Sequence, residues 1–164
     1  MSFLTALEHS AFSVWVRESG SLMAFPGILL MHTYGMAVLV GIVAAIDLRI
    51  LGFAPGLPLA PIGRFLPLLW IAFWVNAVTG TMLLAADATS KMTNVDFGVK
   101  MAFIALAVIT QFLLQKRVLS DPAIDEKPFS ANARLLAIAS LVFWAGAITA
   151  GRLLAYVGQQ GTLK

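Results

Sequence analysis

The chain contains no cysteine, which excludes disulfides, iron–sulfur clusters, thiolate zinc sites and cysteine nucleophiles. Any metal must be held by His, Met, carboxylate or backbone oxygen. Charge is scarce as well: only 12% of the 164 residues are charged, and there are two histidines and two tyrosines. A water-soluble domain of this length needs more polar side chain than that to cover its surface. No Gly-rich phosphate loop occurs, and no Ser falls at a shared depth with a His and an acid, so an ordinary hydrolase is disfavoured. Eleven Lys and Arg outnumber eight acids, but they are spread over loops and span ends without interleaved aromatics. No nucleic-acid partner is expected from that pattern.

What remains is apolar, with 60% hydrophobic residues and a mean hydropathy of +0.89. This composition predicts an all-α integral membrane protein in contact with the lipid bilayer. Four stretches approach the ~20 apolar residues that a helix needs to cross a hydrocarbon core. They lie at about 24–50, 65–86, 97–117 and 134–157, within a single membrane domain covering 1–164. Short connections predict an up-and-down four-helix bundle, with Asp96 as the expected N-cap of the third span. Ahead of it, Thr5, His9, Ser13 and Arg17 oppose Leu4, Leu7, Ala11 and Trp15. That alternation predicts an amphipathic interfacial helix at about 3–17 that stays attached and whose polar face can cap a site.

Arg49, Arg64, Lys116, Arg117, Lys127 and Arg134 flank the first and third loops, against Arg17, Lys91 and Lys164 elsewhere outside the spans. The positive-inside rule then predicts both termini on the non-cytoplasmic side. Small residues every four positions, Ala37/Gly41/Ala45, Ala72/Asn76/Gly80 and Ala147/Gly151/Ala155, mark seams where helices approach closely, within the chain or in a homo-oligomer.

The candidate site comes from depth. At about 1.5 Å per residue, His32 lies about 12 Å inside the outer boundary, Lys100 about 5 Å and Arg152 about 8 Å, all in one leaflet. Tyr34, Tyr156, Asn76, Thr79 and Thr81 lie within reach of that level. Ionisable groups in a bilayer are expensive and usually have a partner or a function. An imidazole deeper than two cations is the order a haem requires, iron within the apolar layer and propionates nearer the surface. His32, Lys100, Arg152 and Tyr156 are therefore the candidate cofactor-binding set, for electron transfer or porphyrin oxidation. A copper site is the alternative, with His32, Met36, Met82 and Met101 as ligands. An accessory or structural subunit without cofactor is a third reading. Asp47 and Arg49 read as a structural pair closing the first span at the lipid phosphates or against Arg64, Lys116 or Arg117.

His32 with Gly35, Asp47-Leu48-Arg49, Thr79-Gly80, Lys100, Gln115-Lys116-Arg117 and Gly151-Arg152-Leu153 with Ala155-Tyr156 resemble, over nearly the whole chain, a bacterial family of small four-span membrane proteins. That resemblance implies a multi-pass protein of the bacterial inner membrane. More distantly, His32 in the first span and Lys100 opening the third are similar to the J-type protoporphyrinogen oxidases and the copper-resistance D proteins. This similarity implies haem b ligation at His32 and a functional lysine at Lys100. With no second histidine in the spans, the expected partner is a second copy of the chain or another membrane redox subunit.

Overall fold

The computed structural model describes residues 3–121, 124–126 and 128–160, the last six by backbone alone. Among them the chain is all helical, with no strand. Two short helices open it, α1 (Phe3–Glu8) and α2 (Ala11–Glu18), followed by α3 (Phe25–Leu51), α4 (Leu66–Ala85), the short α5 (Ala88–Met92), α6 (Val95–Leu114) and α7 (Ala131–Gln160). Four segments are long and apolar enough to cross a membrane: Phe25–Leu51, Ile62–Ala85, Val95–Leu119 and Ala131–Leu154.

Local chemistry sets the helix ends. Pro26 and Pro67 stand in the first turns of α3 and α4, where a missing N–H is tolerated. Gly52, at φ 102°, ends α3 in the left-handed conformation that glycine adopts without strain. The N-cap of α6 is Asn94 rather than Asp96: the Asn94 side chain accepts from the Asp96 N–H at 2.8 Å. Asp96 instead adds negative charge to the first turn, where it complements the helix dipole. The α6 helix runs on into a π-helical turn, Gln115–Leu119.

The single amphipathic helix expected at about 3–17 is broken at His9 and Ser10, and Ser10 caps α2 by accepting from Ser13 N at 3.3 Å. Phe12 and Trp15 stay exposed, whereas Ser13 and Arg17 turn onto the end of α4. The Ser13 hydroxyl lies 2.8 Å from the Leu7 carbonyl and 3.1 Å from that of Ala85. Arg17 Nη1 donates to the Ala86 carbonyl at 2.7 Å and to Glu8 O at 2.9 Å. The carbonyls that α4 leaves open at its C-terminus are thus capped from another helix. Val16 packs beneath them on Ile28 and Ala86. Thr89 Oγ1 donates to Glu8 at 2.5 Å and holds that carboxyl below its usual range.

At the opposite end, Asp125 accepts from the Leu59 and Ala60 N–H groups at 2.6 and 2.9 Å, which keeps its carboxyl below the usual range. Arg49 donates to the Leu57 carbonyl and lies 5.4 Å over the Phe129 ring. Two loops are clamped together there.

The four long helices do not close evenly. Helix α3 packs along α4, α6 packs along α7, and α3 meets α7, but α4 and α6 barely touch. Trp70 stacks on Phe112 at 4.6 Å and its indole N–H reaches Gln115 at 3.4 Å, joining α4 to α6 at the loop-clamped end. Toward the end carrying α1 and α2, the two helices part.

The small-residue seams divide accordingly. Gly35 seats α3 on α4, since a Cβ there would meet Ala72 O at 3.2 Å and Asn76 N at 3.3 Å. Ala147 is buried and Gly151 lies under Lys100. The Ala37/Gly41/Ala45 stripe is exposed and is not a seam within the chain. The inward face of α3 is instead Leu39, Val43, Ile46, Asp47 and Ile50, whose bulk fills the middle of the bundle.

Candidate functional site

The parting of α4 and α6 opens a cavity of about 230 Å³. Its lining combines His32 from α3, Asn76, Gly80 and Thr81 from α4, Lys100 and Met101 from α6, and Trp144 from α7.

His32 is held by a reciprocal lock. Its Nδ1 lies 3.0 Å from the Asn76 carbonyl and 3.1 Å from Thr79 Oγ1, while Asn76 Nδ2 donates to the His32 carbonyl at 2.7 Å. The Thr79 hydroxyl donates its own proton to Val75 O at 2.6 Å. Nδ1 therefore faces two acceptors and must carry the proton, which leaves the Nε2 lone pair available. Among the described residues none hydrogen-bonds to Nε2. A ring nitrogen fixed by a backbone carbonyl is the arrangement that orients metal-ligating imidazoles. Gly80 makes the seat: a Cβ there would lie 3.0 Å from His32 Cε1.

Lys100 lies across Gly151, whose missing side chain leaves room for the lysine stem, with Cε 3.5 Å and Nζ 3.7 Å from where a Cβ would stand. No carboxylate pairs with the ammonium within 4 Å; among the described residues the one ion pair is Lys91 with Asp87, at 3.8 Å.

The remaining expected site residues divide between the cavity and other surroundings. Met101 lines it, but Met36 and Met82 do not, and Met82 packs against the Val16, Ile28 and Ala86 cluster. Arg152 is exposed and not part of the lining, because one residue of rotation carries it off the face that Gly151 presents. Tyr34 is 62% exposed and turned outward. The side chain of Tyr156 lies outside the described residues. Trp144 and Phe73, which line the cavity, were not singled out from sequence. Their signal was there in the helical register of Trp144 with Ala147 and Gly151, but a lone tryptophan in an apolar span reads first as packing.

Asp47 is not the span-end residue expected from its neighbour Arg49. It lies within α3, fully buried, with no cation within 4 Å among the described residues, while Arg49 leaves for the loops. Two residues on a helix are about 200° apart, so the pair faces opposite ways.

Comparison with protein-family models, with curated proteins and with solved structures found no match.

Proposed function

We propose that this multi-pass membrane protein binds b-type haem in the cleft between α4 and α6, with His32 Nε2 as the iron ligand and Lys100 as the counter-charge for a propionate. The observation that carries the reading is the His32 lock: a half-buried imidazole that lines a mainly apolar cavity, with its Nδ1–H committed to a carbonyl and its other nitrogen without a partner among the described residues. The cavity of about 230 Å³ is smaller than the ~300–1,000 Å³ of pockets for drug-sized ligands. A porphyrin would be larger than this cavity and would have to reach beyond it between α4 and α6, which share few contacts. Met101 is the sulfur in the same lining. Haem bound in this way supplies one-electron redox chemistry, and the chain's own residues hold and orient it: Asn76 and Thr79 fix the imidazole, Gly80 admits it, and Gly151 seats the lysine.

In the cleft, copper keeps His32 and Met101 of its four expected ligands and haem keeps His32 and Lys100 of its four expected residues; the Lys100 ammonium favours haem, because a cation there repels a bound metal ion and complements a propionate. The cations at the clamped end, Arg49, Arg64, Lys116, Arg117 and Arg134, support an orientation with the cleft in the outer leaflet and both termini on the non-cytoplasmic side of a bacterial inner membrane. The test is an absorption spectrum of protein purified in mild detergent from haem-replete cells. A Soret band that His32→Ala abolishes and Arg49→Ala leaves intact is the expected result; a colourless wild type, or a band indifferent to His32→Ala, would overturn the proposal.

A further inference from the structure

Below the cleft the bundle has two apolar clusters, one around Leu39, Val43, Ala107 and Trp144, the other around Ile46, Ile50, Leu114 and Ala137. Helical register places one polar layer between them. Asp47 lies one turn from Val43, Gln111 one turn from Ala107 and from Leu114, and Ser140 one turn from Trp144 and from Ala137. Asp47 and Ser140 are 0% exposed and Gln111 is 1% exposed. Both carboxyl oxygens of Asp47, both polar atoms of the Gln111 amide and the Ser140 hydroxyl are without a hydrogen-bond partner. The Ser140 hydroxyl faces the Asp47 carboxyl from beyond hydrogen-bond distance.

Unsatisfied buried polar groups are rare, and several in one layer call for an occupant. A lone carboxylate in an apolar layer carries a desolvation penalty of several kcal/mol unless its charge is neutralised. Among the described residues no Lys, Arg or His lies within 4 Å of the Asp47 carboxyl, and the buried residues of α4, α6 and α7 around this level, among them Leu69, Ala72, Ala107, Thr110, Leu114, Ala133, Ala137, Trp144 and Ala147, are not titratable.

We propose that Asp47, Gln111 and Ser140 form an intramembrane binding site for a monovalent cation. The three side chains offer the carboxylate, amide and hydroxyl oxygens that a hard cation takes. There is one carboxylate, so one positive charge brings the layer to neutrality, whereas a divalent ion would leave an excess charge in it. The cleft is the nearest cavity: Trp144 lines it, lies a turn from Ser140, and has its own indole N–H without a partner. The occupant is a proton or a sodium ion, and the site needs no haem above it.

The experiment uses the full chain in detergent at neutral pH and constant ionic strength, as wild type, Asp47→Asn and Ser140→Ala, with choline chloride exchanged stepwise for sodium chloride. Infrared absorption follows the carbonyl band of a protonated carboxylic acid, and thermal unfolding follows ion-specific stabilisation. A protonated-acid band in choline that Asp47→Asn lacks and sodium does not remove identifies a proton site. Saturable, sodium-specific stabilisation that Asp47→Asn lacks, with or without loss of such a band, identifies a sodium site, and Ser140→Ala then moves the midpoint to about tenfold higher sodium, the worth of about one hydrogen bond. A wild type with neither the band nor a sodium effect, or one indistinguishable from Asp47→Asn in both, overturns the proposal. The wild-type spectra decide even if a variant fails to fold.

Discussion

Replacing Arg17 by Ala should release α2 from the bundle while leaving the long helices in place. Ala86 is 4% exposed and its carbonyl, past the last turn of α4, accepts from Arg17 Nη1 at 2.7 Å. A buried acceptor deprived of its partner costs about 1–3 kcal/mol. The lower half of that range is the better guide here, because Arg17 is itself exposed and water can replace part of what it gives. At about 1.4 kcal/mol per tenfold, a loss of 1–2 kcal/mol raises the open population of α2 by about 5- to 30-fold. Hydrogen exchange read by mass spectrometry on detergent-solubilised protein measures this directly: amides of 11–18 should exchange faster by that factor, and amides in the middle of α3 and α7 should not change. Ser13→Ala acts on the neighbouring Ala85 carbonyl and should give a similar effect, less than additive with Arg17→Ala because both hold the same helix end. Unchanged exchange in 11–18, or acceleration throughout the chain, would refute the view of α2 as a locally latched cap.

Other outcomes follow from the same contacts. Gly80→Ala puts a methyl 3.0 Å from His32 Cε1 and should displace the ring from the Asn76 carbonyl; the helix gains about 1 kcal/mol of propensity, so unfolding stability changes little while the Soret absorbance expected of the proposed haem complex weakens. Gly151→Leu should evict the Lys100 stem and reduce haem retention, whereas Gly41→Leu, with nothing within 4 Å, should not; equal losses would count against the cleft. The Asp125 carboxyl is held below its usual range by the Ala60 and Leu59 N–H groups, so its contribution is present above the unfolded value and is lost as pH falls through the depressed folded value. Backbone amide shifts of Leu59 and Ala60 should therefore move only on acidification below the ordinary carboxylate range, and in Asp125→Asn that transition should be absent.

The membrane class and the helical bundle were legible because apolar runs of spanning length have few other solutions. His32 and Lys100 were legible for the related reason that an ionisable group in such a run stands out against its background. Contacts that depend on rotation about a helix axis were not. Arg152 and Gly151 differ by one residue, and only the glycine faces the lysine. The Ala37/Gly41/Ala45 stripe has the spacing of a seam, yet Gly35 makes the approach to α4. Asp47 was read with Arg49 as a span-end pair because adjacency in sequence suggested adjacency in space. Its period with Leu39, Val43, Ile46 and Ile50 would have turned it inward. The open side between α4 and α6 left no mark on composition at all, since a lipid-facing surface and a helix–helix surface are both apolar.

The two polar regions of the bundle differ in a way that bears on what each can hold. In the cleft the polar atoms around the imidazole are mutually satisfied: His32 Nδ1, Asn76 Nδ2 and Thr79 Oγ1 all have partners, and the His32 Nε2 lone pair and the Lys100 ammonium are left over beside the Trp144 N–H. Such a site is rigid before anything binds, which suits a ring compound recognised by direction. A turn or two deeper, Asp47, Gln111 and Ser140 are together and unsatisfied. That layer is complete only with something small in it. Trp144 stands at the boundary, its ring on the cavity side and its N–H still free to donate. If a change of charge occurs in the cleft, the nearest uncommitted groups that can answer it with a cation lie in this layer, so occupancy of the two sites should be coupled. If haem binds as proposed, Asp47→Asn should then remove most of the pH or sodium dependence of its midpoint potential and leave its absorption maximum where it was.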